Sequence, residues 1–224
     1  MELYRKLLCL LLVFLPSPIK IYIYNKFLGC DIHKTAKIGM SYICVRKIKM
    51  GAGARIRHLN IIKNLELLEL GEVASIGNMN SITAVPSLSR MHFKNEKDRY
   101  PALIMGEHSA IVKKHFFDCN NTISIGKYAT IAGLGSVFFT HGINLEDNRQ
   151  ELNKIKIGDY SMVSACSVIT KGAVLPDCSI LGANSTLHKA FSQSHTLYSG
   201  VPAQAVKKLD ANFKYFHREV GYVE

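Results

Sequence analysis

The stretch IGDYSMVSACSVITKGAVLPDCSILGANSTL, Ile157 to Leu187, carries an apolar residue at every sixth position: Ile157, Val163, Ile169, Leu175, Leu181 and Leu187. An α-helix repeats at about 3.6 residues and an alternating strand at about 2, so neither makes a beat of six. The same count continues upstream through Ile125, Ile131 and Val137, through Met105, Ile111 and Phe117, and through Leu70, Ile76 and Ile82. It ends with Ile32, Ile38, Cys44, Met50, Ile56 and Ile62. Every break falls after a multiple of three beats. The steps from Ile62 to Leu70 and from Phe117 to Ile125 are eight residues, and longer insertions occupy 83–104 and 138–156.

A three-sided coil accounts for both the beat and its breaks. Three short strands make one circuit, stacked circuits pair in parallel, the apolar column fills the axis, and extra residues are tolerated only at a corner. The expectation is an all-β solenoid, a parallel β-helix of about seven triangular coils, with every insertion leaving from one edge. Gly51, Gly71, Gly106, Gly126 and Gly158 each follow the first apolar residue of a circuit, where a tight corner or a close neighbouring backbone favours a residue without Cβ. The chain divides into 1–30, an apolar to amphipathic helical segment; 31–190, the solenoid; and 191–224, a C-terminal extension in which DANFKYFHREV suggests a short helix with Asp210 as N-cap.

Composition narrows the class. With 224 residues, 48% hydrophobic and 20% charged, the chain is an ordinary folded protein. Its net charge of +11 suits a polyanionic partner, but no nucleic-acid-binding module or Cys/His finger spacing is present, so nucleic acid is not expected. The six cysteines make no CxxC pair and read as reduced thiols. Leu7 to Leu15 is far short of the roughly 20 residues a spanning helix needs, and no small-x-small cleavage site follows. Residues 3–15 are therefore expected either to contact a membrane peripherally or to cap the core, with Pro16 and Pro18 ending the helix.

The beat, closed by GVPAQAVKKL, resembles the hexapeptide-repeat acyltransferases over about Ile32 to Leu209. HFFDCNNTISIGKYATIAGLGSVFFTHGINLEDNRQ resembles the bacterial branch that O-acetylates surface-polysaccharide sugars. The resemblance implies a left-handed β-helix, a homotrimer, a cytoplasmic enzyme that is at most peripheral at the inner membrane, acetyl-CoA as co-substrate, no metal, and a sugar or polysaccharide acceptor.

Acetyl transfer from a thioester to a hydroxyl needs a base and a stabilised oxyanion. His141, at the start of the corner loop, stands where the family places its base, and the loop is expected to wall the acceptor pocket. Asp118, Glu146 and Asp147 are candidates to orient it, Asp118 because stacking brings the same edge of the preceding turn close. His115 and Asn144 are candidate acceptor contacts. Gly142, Ser164 and Ala165 are candidate oxyanion donors, and the small side chains of Ser164, Ala165 and Ala183 leave room for the pantetheine arm. Lys171, Lys189, Lys207 and Lys208 are candidates for its phosphates. Two other readings stand beside this one: a non-catalytic β-helix scaffold, and a γ-class carbonic anhydrase with His108, His115 and His141 on one zinc.

Overall fold

Seven circuits of three strands, each strand two to four residues long, stack into a three-faced prism in the computed structural model, which describes residues 3–87, 89 and 91–222. The first face runs from Asp31–Ile32 to Val174–Leu175, the second from Lys37–Ile38 to Ile180–Leu181, and the third from Tyr42–Cys44 to Thr186–Leu187. Each strand pairs in parallel with the strand one circuit later, as Leu70 does with Met105, Ile76 with Ile111 and Ile82 with Phe117. Both insertions and both eight-residue steps leave from one corner, between the third and first faces.

The apolar column is buried throughout. At two places its phase differs by one residue from the count of six. Ile43, not Cys44, stacks on Ile62, and Phe138, not Val137, stacks on Phe117 with ring centroids 4.3 Å apart. The corner before Phe138 holds one residue more than the beat allows, taken up by Gly133 and Gly135 at φ 69° and 76°. The corner before Ile43 holds one fewer. Gly71 shows what the other corners demand: a Cβ there would lie 2.6 Å from the backbone N of Glu107 on the next coil. Close stacking of coils at this corner therefore requires glycine.

The helical segment is two helices, α1 (Leu3–Leu12) and α2 (Ser17–Leu28). α1 stops at Leu12, ahead of both prolines, and Pro16 and Pro18 stand instead at the start of α2, where a missing backbone N–H costs nothing. α1 packs on Tyr42–Cys44 and α2 on the first strands of the other two faces, so together they cover the open end of the core and bury Cys9, Leu12, Ile21, Tyr24 and Leu28. Arg5 donates to the carbonyls of Val45 and Arg46 at 2.7 Å, and buried Lys20 donates to the carbonyls of Val13 and Gly39 at 3.0 and 2.5 Å. No helix among the described residues is long and apolar enough to cross a membrane.

At the other end Thr196–Gly200 and Ala203–Lys208 form a hairpin that extends the second face. The C-terminal helix is only a 3-10 turn, Lys214–His217, and Asp210 accepts from the N–H of Asn212 without capping it. The tail then lies along a corner stack of His108, Tyr128 and Tyr160, whose rings are 4.8 and 4.7 Å apart, with Arg218 over Tyr160.

Candidate active site

The second insertion is a β-hairpin rather than an irregular loop. His141–Asn144 pairs antiparallel with Arg149–Leu152, and the N–H of Asn153 closes its base on the carbonyl of Thr140 at 2.9 Å. Thr140 is fully buried, and its hydroxyl donates to the carbonyl of Asp118 on the previous coil at 2.8 Å. The corner is thereby fixed one residue before His141. Asp118 is the parallel partner of Phe139, which carries its carboxylate to the same edge.

His141 Nδ1 lies 2.5 Å from Oδ2 of Asp118. The carboxylate fixes the proton on Nδ1 and leaves Nε2 as the basic nitrogen. Asn120 donates from its side-chain amide to Oδ1 of the same carboxylate, which satisfies the second oxygen. The hydrogen bond and charge of Asp118 raise the His141 pKa above its ordinary value, against an opposing effect of burial. Asp118 keeps 9% of its side-chain surface exposed and His141 keeps 36%, so the pair is sheltered while the imidazole remains reachable.

The first insertion supplies a cover that has no counterpart in the six-residue pattern. The Phe93 ring stands edge-on to His141 at 5.9 Å, and Phe139 does the same at 6.4 Å. Arg99 lies over the Phe93 ring at 4.8 Å, and its guanidinium donates to the carbonyls of Asn120, Val85 and Pro86. Phe93 N–H reaches Gln150 Oε1 of the hairpin at 3.3 Å. Arg99 thus ties the covering segment to Asn120, and through it to Asp118.

Other candidates fall elsewhere. Asp147 sits at the exposed hairpin turn, paired with Arg149 at 3.0 Å and receiving from Asn144, and is no partner of His141. The amide of Asn144 also donates to Glu151, and Lys171 closes on that same carboxylate beside Gly142. Those hydrogen bonds hold the Glu151 pKa below the usual carboxylate range. Lys171 therefore braces the hairpin rather than standing free for a phosphate.

His115 is buried in the corner between the second and third faces, where it continues a polar column from Asn60 and Asn80 to Ser136. Burial pushes its pKa down to about 4. It stands at the opposite edge of the third face from His141. Ser164, Ala165 and Ala183 stand at that same corner, while His141, Gly142, Lys171 and Lys189 stand at the corner between the third and first faces. The two groups are at opposite edges of one face. Lys207 and Lys208 are exposed on the terminal hairpin. His108, His115 and His141 occupy three different corners, so no zinc triad is assembled within the chain, and no group of three metal-ligating side chains occurs among the described residues.

No family model matches the sequence, and no curated protein matches it. Solved structures do. A hexapeptide-repeat-containing acetyltransferase from Vibrio cholerae O1 biovar eltor, complexed with acetyl-CoA, is 22% identical over 63% of this chain and 71% of its own, with a TM-score of 0.50. The chain has the hexapeptide-repeat acetyltransferase fold. AntD, an N-acyltransferase from Bacillus cereus in complex with dTDP and 3-hydroxybutyryl-CoA, is 14% identical over 90% of this chain and 94% of its own, with a TM-score of 0.53. The chain's fold, a left-handed parallel β-helix, is thus matched along nearly its whole length.

Proposed function

We propose that this protein is an acetyl-CoA-dependent O-acetyltransferase acting on a sugar hydroxyl in bacterial polysaccharide biosynthesis. The observation that carries the reading is the His141–Asp118 pair at the one corner where a hairpin interrupts the coil, sheltered by Phe93. Structural neighbours that bind acetyl-CoA, or a dTDP-amino sugar together with coenzyme A, add support.

In the reaction Nε2 of His141 takes the proton of the sugar hydroxyl as its oxygen attacks the thioester carbonyl. Asp118 stabilises the imidazolium that forms. The C–S bond then breaks, the sugar oxygen keeps the acetyl group, and the departing thiolate recovers the proton. Phe93 and the hairpin limit water at a bond that water would otherwise hydrolyse.

The working unit in this reading is a homotrimer. The catalytic histidine and the small-residue corner of Ser164, Ala165 and Ala183 lie at opposite edges of one face, so a single chain supplies only half of a groove. A neighbouring copy, packed edge to edge about a three-fold axis, brings the complementary corner. Lys189, Lys207 and Lys208 are the exposed cations left for the cofactor phosphates. Release of coenzyme A from acetyl-CoA, dependent on an added oligosaccharide or nucleotide sugar and accompanied by an acetylated product in mass spectrometry, tests the activity. Acceptor-independent release, or none with any glycan class, contradicts it.

A further inference from the structure

The two capping helices present a second surface that the acetyl-transfer chemistry does not use. On α1, Cys9 and Leu12 face the core while Leu3, Leu7, Leu10 and Leu11 point outward, followed by Phe14 in the turn. These side chains are well out in solvent: Leu3 is 72% exposed, Leu11 68% and Phe14 78%. On α2, Ile19, Tyr22 and Phe27 are exposed opposite the buried Ile21, Tyr24 and Leu28. One end of the rod is thus covered by helices that are apolar on both sides. A helix with a purely capping role needs only its inner stripe.

The charge is gathered at the same end. Residues 1–64, which comprise the helices and the first two coils, hold twelve Lys and Arg against two Asp and Glu, whereas the remaining 160 residues hold 16 against 15. Nearly all of the net +11 therefore belongs to this end, and little of it to a cofactor groove around His141. Arg46 and Lys49 are paired with Glu66 and Glu69 of the third coil, but Lys6, Lys26, Lys34, Lys37, Lys47 and Arg55 are exposed around the apolar end with no ion pair among the described residues.

We propose that α1 and α2 form a docking face that sets the rod end-on upon an anionic lipid bilayer, with the leucines and phenylalanines entering the interface and the ring of cations meeting lipid phosphates. Apolar side chains and cations are wanted together by an anionic bilayer. A nucleic acid has no use for exposed leucines, and a second copy would bring a like-charged end against this one. Because Arg5 and Lys20 are committed to the carbonyls that tie the helices to the first coil, the face is held rigidly to the rod.

The test is co-sedimentation of the full-length protein with vesicles of phosphatidylcholine, with and without phosphatidylglycerol. Binding is expected to the anionic vesicles and to weaken with salt. L11E/F14E, at positions outside the core, should abolish it with an unchanged melting curve, and K34E/K37E/K47E should weaken it roughly a hundredfold. Wild-type protein that stays in the supernatant, equal binding by either variant, or a lower oligomeric state of L11E/F14E with vesicle binding intact would overturn the proposal. The last result would give the face to a second copy. Tighter binding to RNA than to anionic vesicles would overturn it as well.

Discussion

His141 Nδ1 and Asp118 Oδ2 meet at 2.5 Å across 23 residues of sequence and a single step of the coil. Because Asp118 raises the His141 pKa, the neutral base is lost as pH falls through that raised value, and the rate should decline on the acid side. In Asp118→Asn the charge that holds the imidazolium is gone, so the acid limb should move to lower pH. Turnover should fall by roughly 10² or more, because the tautomer is no longer enforced. The pH profile of kcat for the two enzymes measures both. An unshifted acid limb would mean that the carboxylate does not act on His141 in the working enzyme.

His115 sets a different pH dependence, on stability rather than rate. Its pKa is about 4 when folded, below the ordinary 6.5 of the unfolded chain. The unfolded state therefore takes up the proton first, and stability should be lost as pH falls from about 6.5 towards 4. Asn80 and Asn60 fill the same corner position one and two coils closer to the N-terminus in the polar column, so His115→Asn is accommodated and removes the titrating group. Melting temperatures across that range should decline less steeply in the variant. Parallel curves for the two proteins would refute this assignment.

Two glycine substitutions separate packing from the site. The Cβ of Gly71→Ala meets backbone of the next coil, which cannot move independently, and should cost about 1–3 kcal/mol in thermal or urea unfolding. The Cβ of Gly142→Ala meets the Lys171 side chain at 2.9 Å, which can swing aside. Stability should change little, but the Lys171–Glu151 brace must shift, and the acceptor KM should rise. Equal destabilisation by both would show that Lys171 is as immobile as backbone.

Arg99→Ala releases the covering segment from Asn120 and unseats Phe93. Turnover should fall roughly tenfold, while hydrolysis of acetyl-CoA without acceptor should rise, because water reaches a less sheltered histidine. Phe93→Leu should reproduce the second effect more than the first. Wild-type values of both rates in Arg99→Ala would leave the covering segment without a part in the reaction.

The sequence revealed what recurs and concealed what does not. The six-residue beat laid out the three faces and the corner from which both insertions leave, because stacking imposes one spacing on every coil. It slipped by one at Cys44 and Val137, where a corner gains or loses a residue and two adjacent apolar side chains compete for the axis. His141 stood out where the beat breaks, and Asp118 as a candidate at the same edge one turn earlier. Phe93, Arg99 and Asn120 were not legible, since the 83–104 insertion has no period and its fold depends on a guanidinium finding carbonyls distant in sequence. His115 left a packing role and an acceptor contact open, because a buried corner histidine and a pocket histidine look alike without a register. The excess of positive charge in residues 1–64 acquires a meaning only once the two helices are placed at one end of the rod.

The assignment of His141 as general base is tested most directly by steady-state coenzyme A release from His141→Ala, with calorimetric acetyl-CoA binding on the same preparation. Turnover should fall by roughly 10² to 10⁴ with cofactor affinity little changed, and the residual rate should rise with pH as hydroxide partly replaces the imidazole. A kcat within about threefold of wild type, or an inactive variant that has also lost acetyl-CoA binding, would contradict the account.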